Sequence, residues 1–195
     1  YEYSGGAVVS QRNYRVDNPA AGSATTTFTP KGYTWDGGAG TTDWNNPVNW
    51  VGDSDYPKGP GDVATFAGYA DYSVFALKEP IVVGKIDCTA KLYADFGVAG
   101  ETLTFENPAG EAEFNWLPAN GTDPRRVRVL ADLVLKSDLK VHVFYDRHDG
   151  GLLGNIGGPG QLRLQVEYEG GSERWSLGAA GGASNTYAGG TIVMA

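Results

Sequence analysis

Two short pieces of the chain decide the fold: Trp175-Ser-Leu-Gly178 and Gly182-Ala-Ser-Asn-Thr-Tyr-Ala-Gly-Gly-Thr-Ile-Val193. Each contains a short apolar strand, and a corner of small residues lies between the two strands. The side chains of residues 184 to 186 can hydrogen-bond their own backbone in a turn, and Gly189 and Gly190 can take positive φ. Because one such unit cannot bury its apolar face alone, the stretch predicts a stack of similar coils, a β-solenoid.

The corner resembles the autotransporter-associated β-strand repeat, a family found in long secreted or surface-anchored bacterial proteins. In that family a Leu-x-Leu-x-Gly strand precedes a Gly-Ala-x-Asn-Thr-Tyr-x-Gly-Gly-Thr corner, and a second apolar strand follows it. The resemblance implies a parallel β-helix, and what it specifies is architecture rather than chemistry. The matching residues are Ala183, Asn185, Thr186, Tyr187, Gly189, Gly190 and Thr191.

A second patterned block lies between Gly32 and Phe66 and resembles the opening module of β-strand-repeat surface proteins. That module reads Trp, Gly-rich loop, Trp, Asn-Trp, Pro and Gly-Asp-x-Ala-x-Phe. We interpret the block as a cap, because large aromatic side chains can cover the exposed first coil of a solenoid. The alternative is a ligand site in which Trp35, Trp44 or Trp50 stacks on sugar rings. The matching residues are Trp35, Trp44, Asn49, Trp50, Pro57, Gly61, Asp62, Ala64 and Phe66.

Apolar and polar residues alternate along the segments between these two blocks. Alternation with a period of two predicts β-strands that bury one face. Cys88 falls on the apolar side, which predicts a core residue rather than a reactive thiol. The apolar sets are Ile86, Cys88, Ala90, Leu92, Ala94, Phe96 and Val98; then Val127, Val129, Ala131, Leu133, Leu135, Leu139, Val141 and Val143; then Leu162, Leu164, Val166 and Tyr168.

We therefore expect an all-β fold, a right-handed parallel β-helix or β-solenoid, in three regions. Residues 1-30 are predicted to form an extended N-terminal arm, residues 31-80 a Trp-rich capping module, and residues 81-195 the solenoid coils. The arm contains three strand-like pieces and no obvious core of its own. It can cap its own domain or pair with another subunit. The three pieces are Ala7-Val8-Val9, Asn13-Tyr14-Arg15-Val16 and Thr25-Thr-Thr-Phe-Thr29.

The composition argues against several classes of protein. The chain has 195 residues, of which 12% are aromatic, and this aromatic content argues against disorder. The net charge is −8, and the largest basic cluster is Arg125-Arg126-x-Arg128, so nucleic acid is not an expected partner. No apolar run approaches the roughly 18 residues of a transmembrane helix, so we expect no membrane span.

The N-terminal residue and the cysteine content bear on the compartment. Residue 1 is Tyr rather than Met, which we interpret as a processed N-terminus from which a signal peptide has been removed. The single cysteine, Cys88, cannot form an internal disulfide. Together with the family resemblance, the processed N-terminus predicts a secreted or cell-surface location.

The sequence contains no evident catalytic constellation. Glycoside hydrolysis needs two carboxylates about 5 to 10 Å apart. Asp53 and Asp55 could form such a pair, but they lie in a polar loop where a solvated surface is the simpler interpretation. His142 and His148, the two histidines, are interpreted as surface residues. The chain has no Gly-x-Ser-x-Gly motif and no phosphate-binding loop, so we predict that it is not an enzyme.

No metal or cofactor is predicted either. A Ca²⁺ site built from Asp43, Asp53, Asp55 or Asp62 is conceivable, since carboxylates are the ligands that Ca²⁺ prefers. However, the sequence has no EF-hand pattern and no Gly-rich nonapeptide of the kind that binds Ca²⁺ in β-rolls.

The expected function is structural: a self-assembling extracellular fibre or surface-layer subunit, joined head to tail as a homopolymer. The alternatives are a carbohydrate-binding adhesin module that recognises cell-surface glycans, and a passenger-like segment of a longer surface protein. The expectation of assembly comes from the ends of a solenoid, where unpaired N–H and C=O groups template pairing with another chain. The predicted subunit contacts are Val8, Val9, Tyr14, Val16 and Phe28 in the arm and Ile192 and Val193 in the last coil.

Overall fold

The computed structural model of the chain is an all-β solenoid of about five turns. The structure describes residues 3–4, 7–8, 14–17, 25–68, 70–90, 92–117, 126–145, 150–168, 175–178 and 185–194. These residues form twenty strands, numbered β1 to β20 in chain order, and within them the helical structure is one 3-10 turn, Pro47–Asn49. The expected all-β solenoid is confirmed, and its right-handedness stays a prediction.

Two antiparallel hairpins come first in the chain. Their strands include parts of all three strand-like pieces predicted for the arm. Among the described strands, neither hairpin joins the parallel sheets of the solenoid. The pairs are β1 (Tyr3–Ser4) with β2 (Ala7–Val8), and β3 (Tyr14–Asp17) with β4 (Thr25–Phe28).

The solenoid itself winds around three parallel sheets. Neighbouring strands in a sheet are parallel because each coil brings the chain back in the same direction, one layer further along the stack. The seven-stranded sheet contains, in spatial order, β5 (Gly32–Thr34), β6 (Val63–Phe66), β9 (Lys85–Cys88), β12 (Ala112–Trp116), β15 (Leu139–Tyr145), β18 (Leu162–Tyr168) and β20 (Thr191–Met194). The five-stranded sheet contains β7 (Ala70–Phe75), β10 (Leu92–Phe96), β13 (Val127–Val129), β16 (Gly150–Leu152) and β19 (Trp175–Leu177). The four-stranded sheet contains β8 (Ile81–Val83), β11 (Thr102–Phe105), β14 (Asp132–Leu135) and β17 (Ile156–Gly157).

The parallel sheets begin before residue 81. Strands β5, β6 and β7 come from the segment assigned to the cap, yet β6 pairs with β9 in register, with Val63 opposite Lys85. The Trp-rich block therefore contains the first strands of the stack as well as a long loop, residues 35–62, between β5 and β6.

One register position runs through the whole seven-stranded sheet, and we call its residues the inner row. Its members in spatial order are Tyr33, Ala64, Ile86, Phe114, Val141, Leu164 and Val193. From Tyr33 to Leu164 no member is more than 8% exposed, whereas Val193 is 75% exposed. The row is therefore covered at one end and open at the other.

Most of the predicted apolar positions are buried. The second alternating segment is confirmed completely, because its eight apolar residues from Val127 to Val143 are at most 1% exposed. Val98 is an exception at 42% exposed, because β10 ends at Phe96 and the chain turns into a corner. Asp95 is an exception in the other direction: it lies on the polar side but is buried, because Arg128 on the next strand donates hydrogen bonds to it at 2.7 and 2.5 Å.

The two glycines of the last corner meet two different needs. Gly190 has φ +71°, the left-handed conformation that the sequence predicts. Gly189 does not take positive φ, so that part of the prediction is wrong. A Cβ atom on Gly189 would lie 2.5 Å from the Cα of Gln161 in the preceding coil. The corner therefore needs glycine both for the turn and for the close approach of two coil backbones.

Candidate functional site: the two ends of the solenoid

The loop of residues 35–62 forms a cap centred on two buried tryptophans. Trp44 and Trp50 have no exposed surface, and their ring centroids are 5.1 Å apart. Both indole N–H groups donate hydrogen bonds, from Trp44 to the carbonyl of Pro57 and from Trp50 to the carbonyl of Trp44, each at 2.8 Å. Since buried indoles with satisfied N–H groups pack as core, the cap extends the hydrophobic core beyond the first strands.

Two buried polar side chains hold this loop in shape. The side-chain oxygen of Asn49 accepts a hydrogen bond from the backbone N–H of Ala39 at 3.1 Å. The buried carboxylate of Asp62 accepts three backbone N–H groups, which gives the Asp of the Gly-Asp pair a structural role. These donors are Lys31, Lys58 and Gly59, at 3.1, 3.2 and 2.9 Å.

The cap also pairs with the chain at the end of β5, at Thr34 and Trp35. The N–H of Val51 donates to the carbonyl of Thr34 at 2.9 Å, and Trp35 and Trp50 form an antiparallel bridge. A strand edge whose groups are paired within its own chain offers few groups to a second chain. The β5 end of the sheet is therefore closed by the cap at Thr34 and Trp35.

The burial of Trp44 and Trp50 leaves these two rings no exposed face on which a sugar could stack, and sugar stacking on Trp35 stays a prediction. Trp35 is partly buried: its ring stacks on Phe66 at a centroid distance of 5.8 Å and meets Phe75 edge-on at 4.9 Å. All three tryptophans pack against the core, which agrees with the interpretation of the block as a cap.

The other end of the seven-stranded sheet is β20. One edge of β20 pairs with β18, with Ile192 opposite Arg163 and Val193 opposite Leu164. Its other edge has no partner among the strands that the structure describes. Ile192 is 41% exposed and Val193 is 75% exposed. The two contact residues predicted for the last coil therefore form an exposed, apolar strand at the end of the stack.

The contact residues predicted for the arm lie in its hairpins. Val8 belongs to β2, Tyr14 and Val16 to β3, and Phe28 to β4. Their side chains, and Val9 as a whole, lie outside the described part of the structure. The arm thus supplies strands, and the predicted contacts with Ile192 and Val193 stay predictions.

Exposed large apolar side chains are concentrated at the two ends. Among the residues whose burial is described, Val48 and Val51 lie in the cap, Ile192 and Val193 lie in β20, and Val98 alone lies along the side. Sequence reasoning missed Val48 and Val51 because apolar residues in a loop show no periodic pattern. Their position next to Trp50 is the one signal that could have drawn attention to them.

The outer face of the seven-stranded sheet is polar and internally paired. The ammonium nitrogen of Lys85 lies 3.2 Å from Glu113 and 3.5 Å from Asp87. Burial lowers the pKa of Lys85, but Asp87 and Glu113 outweigh it and hold that pKa above its ordinary value. Burial raises the pKa of Glu113, but the hydrogen bond from Asn115 and the charge of Lys85 outweigh it and hold that pKa below its ordinary value.

Three of the four carboxylates considered for catalysis or Ca²⁺, Asp43, Asp55 and Asp62, have structural partners. Asp55 accepts a hydrogen bond from the hydroxyl of Tyr33 at 3.3 Å, and Asp43 pairs with Lys78 at 2.6 Å. Asp53 lies in a turn and has φ +52°. No cluster of three His, Cys, Asp or Glu side chains that could hold a metal occurs within the described ranges.

His142 is not brought together with these carboxylates. His142 lies on the outer face of β15, with its Nε2 atom 2.8 Å from a carboxylate oxygen of Glu167. His148, with its neighbours Asp146 and Asp149, lies outside the described residues. The contact of His142 with Glu167 is a hydrogen bond between two adjacent strands.

Cys88 is completely buried, and burial raises the pKa of its thiol well above the ordinary value. This confirms the prediction that Cys88 is a core residue.

Within the described residues, no helix has the length and apolar character needed to cross a membrane. Comparisons of the chain with protein-family models, curated proteins and solved structures find no match.

Proposed function

We propose that this chain is a structural subunit of an extracellular fibre or surface layer, and that its copies join head to tail. The observation that carries the proposal is the inner row, which is covered at Tyr33 and exposed at Val193. Exposed apolar strand edges template pairing with another chain. Two unlike ends that fit each other give a heterologous contact, and such contacts form open filaments when they do not close into rings.

We propose that the last coil is of the autotransporter-associated type, on the resemblance of its corner sequence to that repeat. Asn185 bridges to Ile156 of the preceding coil, and Gly189 lies against the backbone of Gln161. The residues that match the family's corner thus have architectural roles here. Because such repeats occur in secreted and surface-anchored bacterial proteins, the assignment also supports a location outside the cell.

The roles of the buried polar groups support a mechanical rather than a catalytic role. Asn49 and Asp62 hold the cap loop, and Asp95 is bound by Arg128 on the next strand. In each case the polar group stabilises one coil or joins two coils. We therefore include no catalytic step in the proposal.

The proposal is tested by measuring the association state of the full chain over a range of concentrations. Sedimentation velocity and negative-stain microscopy should show oligomers that grow with concentration into filaments or sheets. Val193→Lys should reduce assembly, because a lysine on an edge strand opposes pairing with another chain. Val98→Lys is the matched control, since Val98 is an exposed valine that lies along the side of the stack.

Two results would contradict the proposal. If the chain stays monomeric at high concentration, the remaining interpretation is that it is a segment of a longer surface protein. Equal loss of assembly in Val193→Lys and Val98→Lys would show a general charge effect with no special role for β20.

A further inference from the structure

We infer that the strand that pairs with β20 is supplied by the β3–β4 hairpin of a second copy of the chain, and not by that copy's cap or first coil. This inference rests on the proposed function, because it names the partner surface for head-to-tail joining. It is narrower than the proposal, since copies could also join by stacking the cap of one directly on β20 of the next.

The closed state of the β5 end argues against the first coil as the partner. Val51 already donates to the carbonyl of Thr34, and Trp35 is bridged to Trp50. The inner row at this end finishes at Tyr33, whose ring meets Trp50 edge-on at a centroid distance of 6.3 Å. A second chain would have to displace the cap to pair along this edge as far as Thr34, and displacement would expose the buried ring of Trp50.

At the open end, a β-strand is better suited than a loop to cover β20. The edge of β20 that has no partner among the described strands runs over four residues, Thr191–Met194. Val193 continues the inner row, so a covering element must also bring apolar residues level with the core. A β-strand meets both needs at once, because its backbone pairs with the edge while alternate side chains face the core side.

The β3–β4 hairpin matches this requirement in length and pattern. Both β3 and β4 are four residues long, as is β20. Along β3 the apolar residues Tyr14 and Val16 alternate with Arg15 and Asp17, the two-residue period of the seven-stranded sheet. Added in matching register, such a strand continues an apolar row beside Val193 and a polar row beside Ile192.

The register inside the hairpin extends the same pattern to a second strand. Tyr14 is paired with Phe28, and Val16 with Thr26. Among the described strands the hairpin pairs only with itself, so each of its strands keeps one edge without a strand partner. A hairpin of this kind can add to an edge and lengthen the sheet by two strands.

The chain allows a direct test by cross-linking. Cys88 is wholly buried, so a maleimide should not label it in the native state. Any cross-link should therefore come from the introduced cysteines. Full-length Val193→Cys is mixed with full-length Val16→Cys, and a short bismaleimide is added. Two matched mixtures replace Val16→Cys by Val51→Cys in the cap or by Val98→Cys on the side. Sedimentation of each mixture before cross-linking records whether the copies associate.

The expected result is a covalent heterodimer in the Val193→Cys and Val16→Cys mixture and its loss in both matched mixtures. If Val51→Cys cross-links to Val193→Cys and Val16→Cys does not, the cap is the partner and the hairpin inference is overturned while the fibre proposal stands. Association without any of these cross-links also overturns the hairpin inference alone. If none of the mixtures associates, the fibre proposal fails and the inference fails with it.

Discussion

The two ends of the seven-stranded sheet finish the same inner row in opposite ways. At the β5 end, Tyr33 lies beneath a cap with two buried tryptophans, and its exposure is 8%. At the β20 end, Val193 occupies the same register position and is 75% exposed. The coil geometry alone does not cover a solenoid end, because each coil buries its apolar face only against a neighbour. Covering an end takes residues outside the repeat, such as residues 35–62.

The size of the open surface indicates what an assembly contact must contain. Fully burying one valine side chain contributes about 1.5 kcal/mol or slightly more. A micromolar complex requires about 8 kcal/mol of binding free energy. Covering Val193 and Ile192 is therefore insufficient by itself. Backbone hydrogen bonds, at roughly 0.5 to 1.5 kcal/mol each, and further apolar contacts must supply the rest, which favours strand addition over a simple apolar contact.

The largest expected effect is the difference in stability between two single variants that place a carboxylate at neighbouring positions of the inner row. Leu164→Asp should prevent folding, because it places an unpaired carboxylate in a row that is 5% exposed at this point. An uncompensated buried charge costs about 3 to 5 kcal/mol or more, a large part of an ordinary domain's stability. Val193→Asp, one strand further on, should fold normally. Circular dichroism and urea denaturation measure both, and equal stability of the two variants would contradict the open end.

A smaller effect is expected from opening the closed end. Trp50→Ala should lower the free energy of unfolding by about 3 to 5 kcal/mol, since it empties a fully buried indole position. Val51→Ala is the neighbouring control, and at 64% exposure it should change stability by no more than about 0.5 kcal/mol. The measurement is urea denaturation of both variants. A Trp50→Ala protein as stable as the Val51→Ala protein would show that the cap does not contribute to the core.

The smallest effect concerns the polar side of the solenoid between the ends. The folded-state pKa of Glu113 lies below its ordinary value, so its contribution to stability is present above the ordinary carboxyl pKa. That contribution is lost as pH falls from there through the lowered pKa. The loss should be small, because solvent screens an ion pair at this outer face. Stability measured against pH should show a weaker acid dependence for Glu113→Gln. An unchanged profile would show that the Lys85–Glu113 pair does not contribute to the pH dependence of stability.

The sequence predicted the inner faces of the coils well and their corners less well. Alternation places Val127, Leu133 and Leu164 on one side, and all three are buried, because strand geometry puts every second side chain on the same face. The same alternation predicted that Val98 is buried, although the strand ends two residues earlier. A period of two continues along a sequence past the point where the backbone turns.

The sequence also left open which residues outside the apolar faces of the strands are buried. Asp95 lies on the polar side of β10, and what makes it a buried residue is Arg128, which comes from the next coil. Likewise, the sequence left it open whether Trp44 and Trp50 face solvent or core. Both questions depend on partners that are distant along the chain, and local pattern contains no information about them.

The sequence by itself determined that this chain is all-β, that it stacks coils, and which residues in most coils face inwards. These properties follow from the two-residue period of strands and from small residues at the corners, which act over a few positions. Only the tertiary structure decided that the cap closes the sheet at β5 and that the inner row remains exposed at Val193. The physical reason is that exposure depends on what lies above a residue in the stack, and that neighbour comes from another coil or, in our proposal, from another copy.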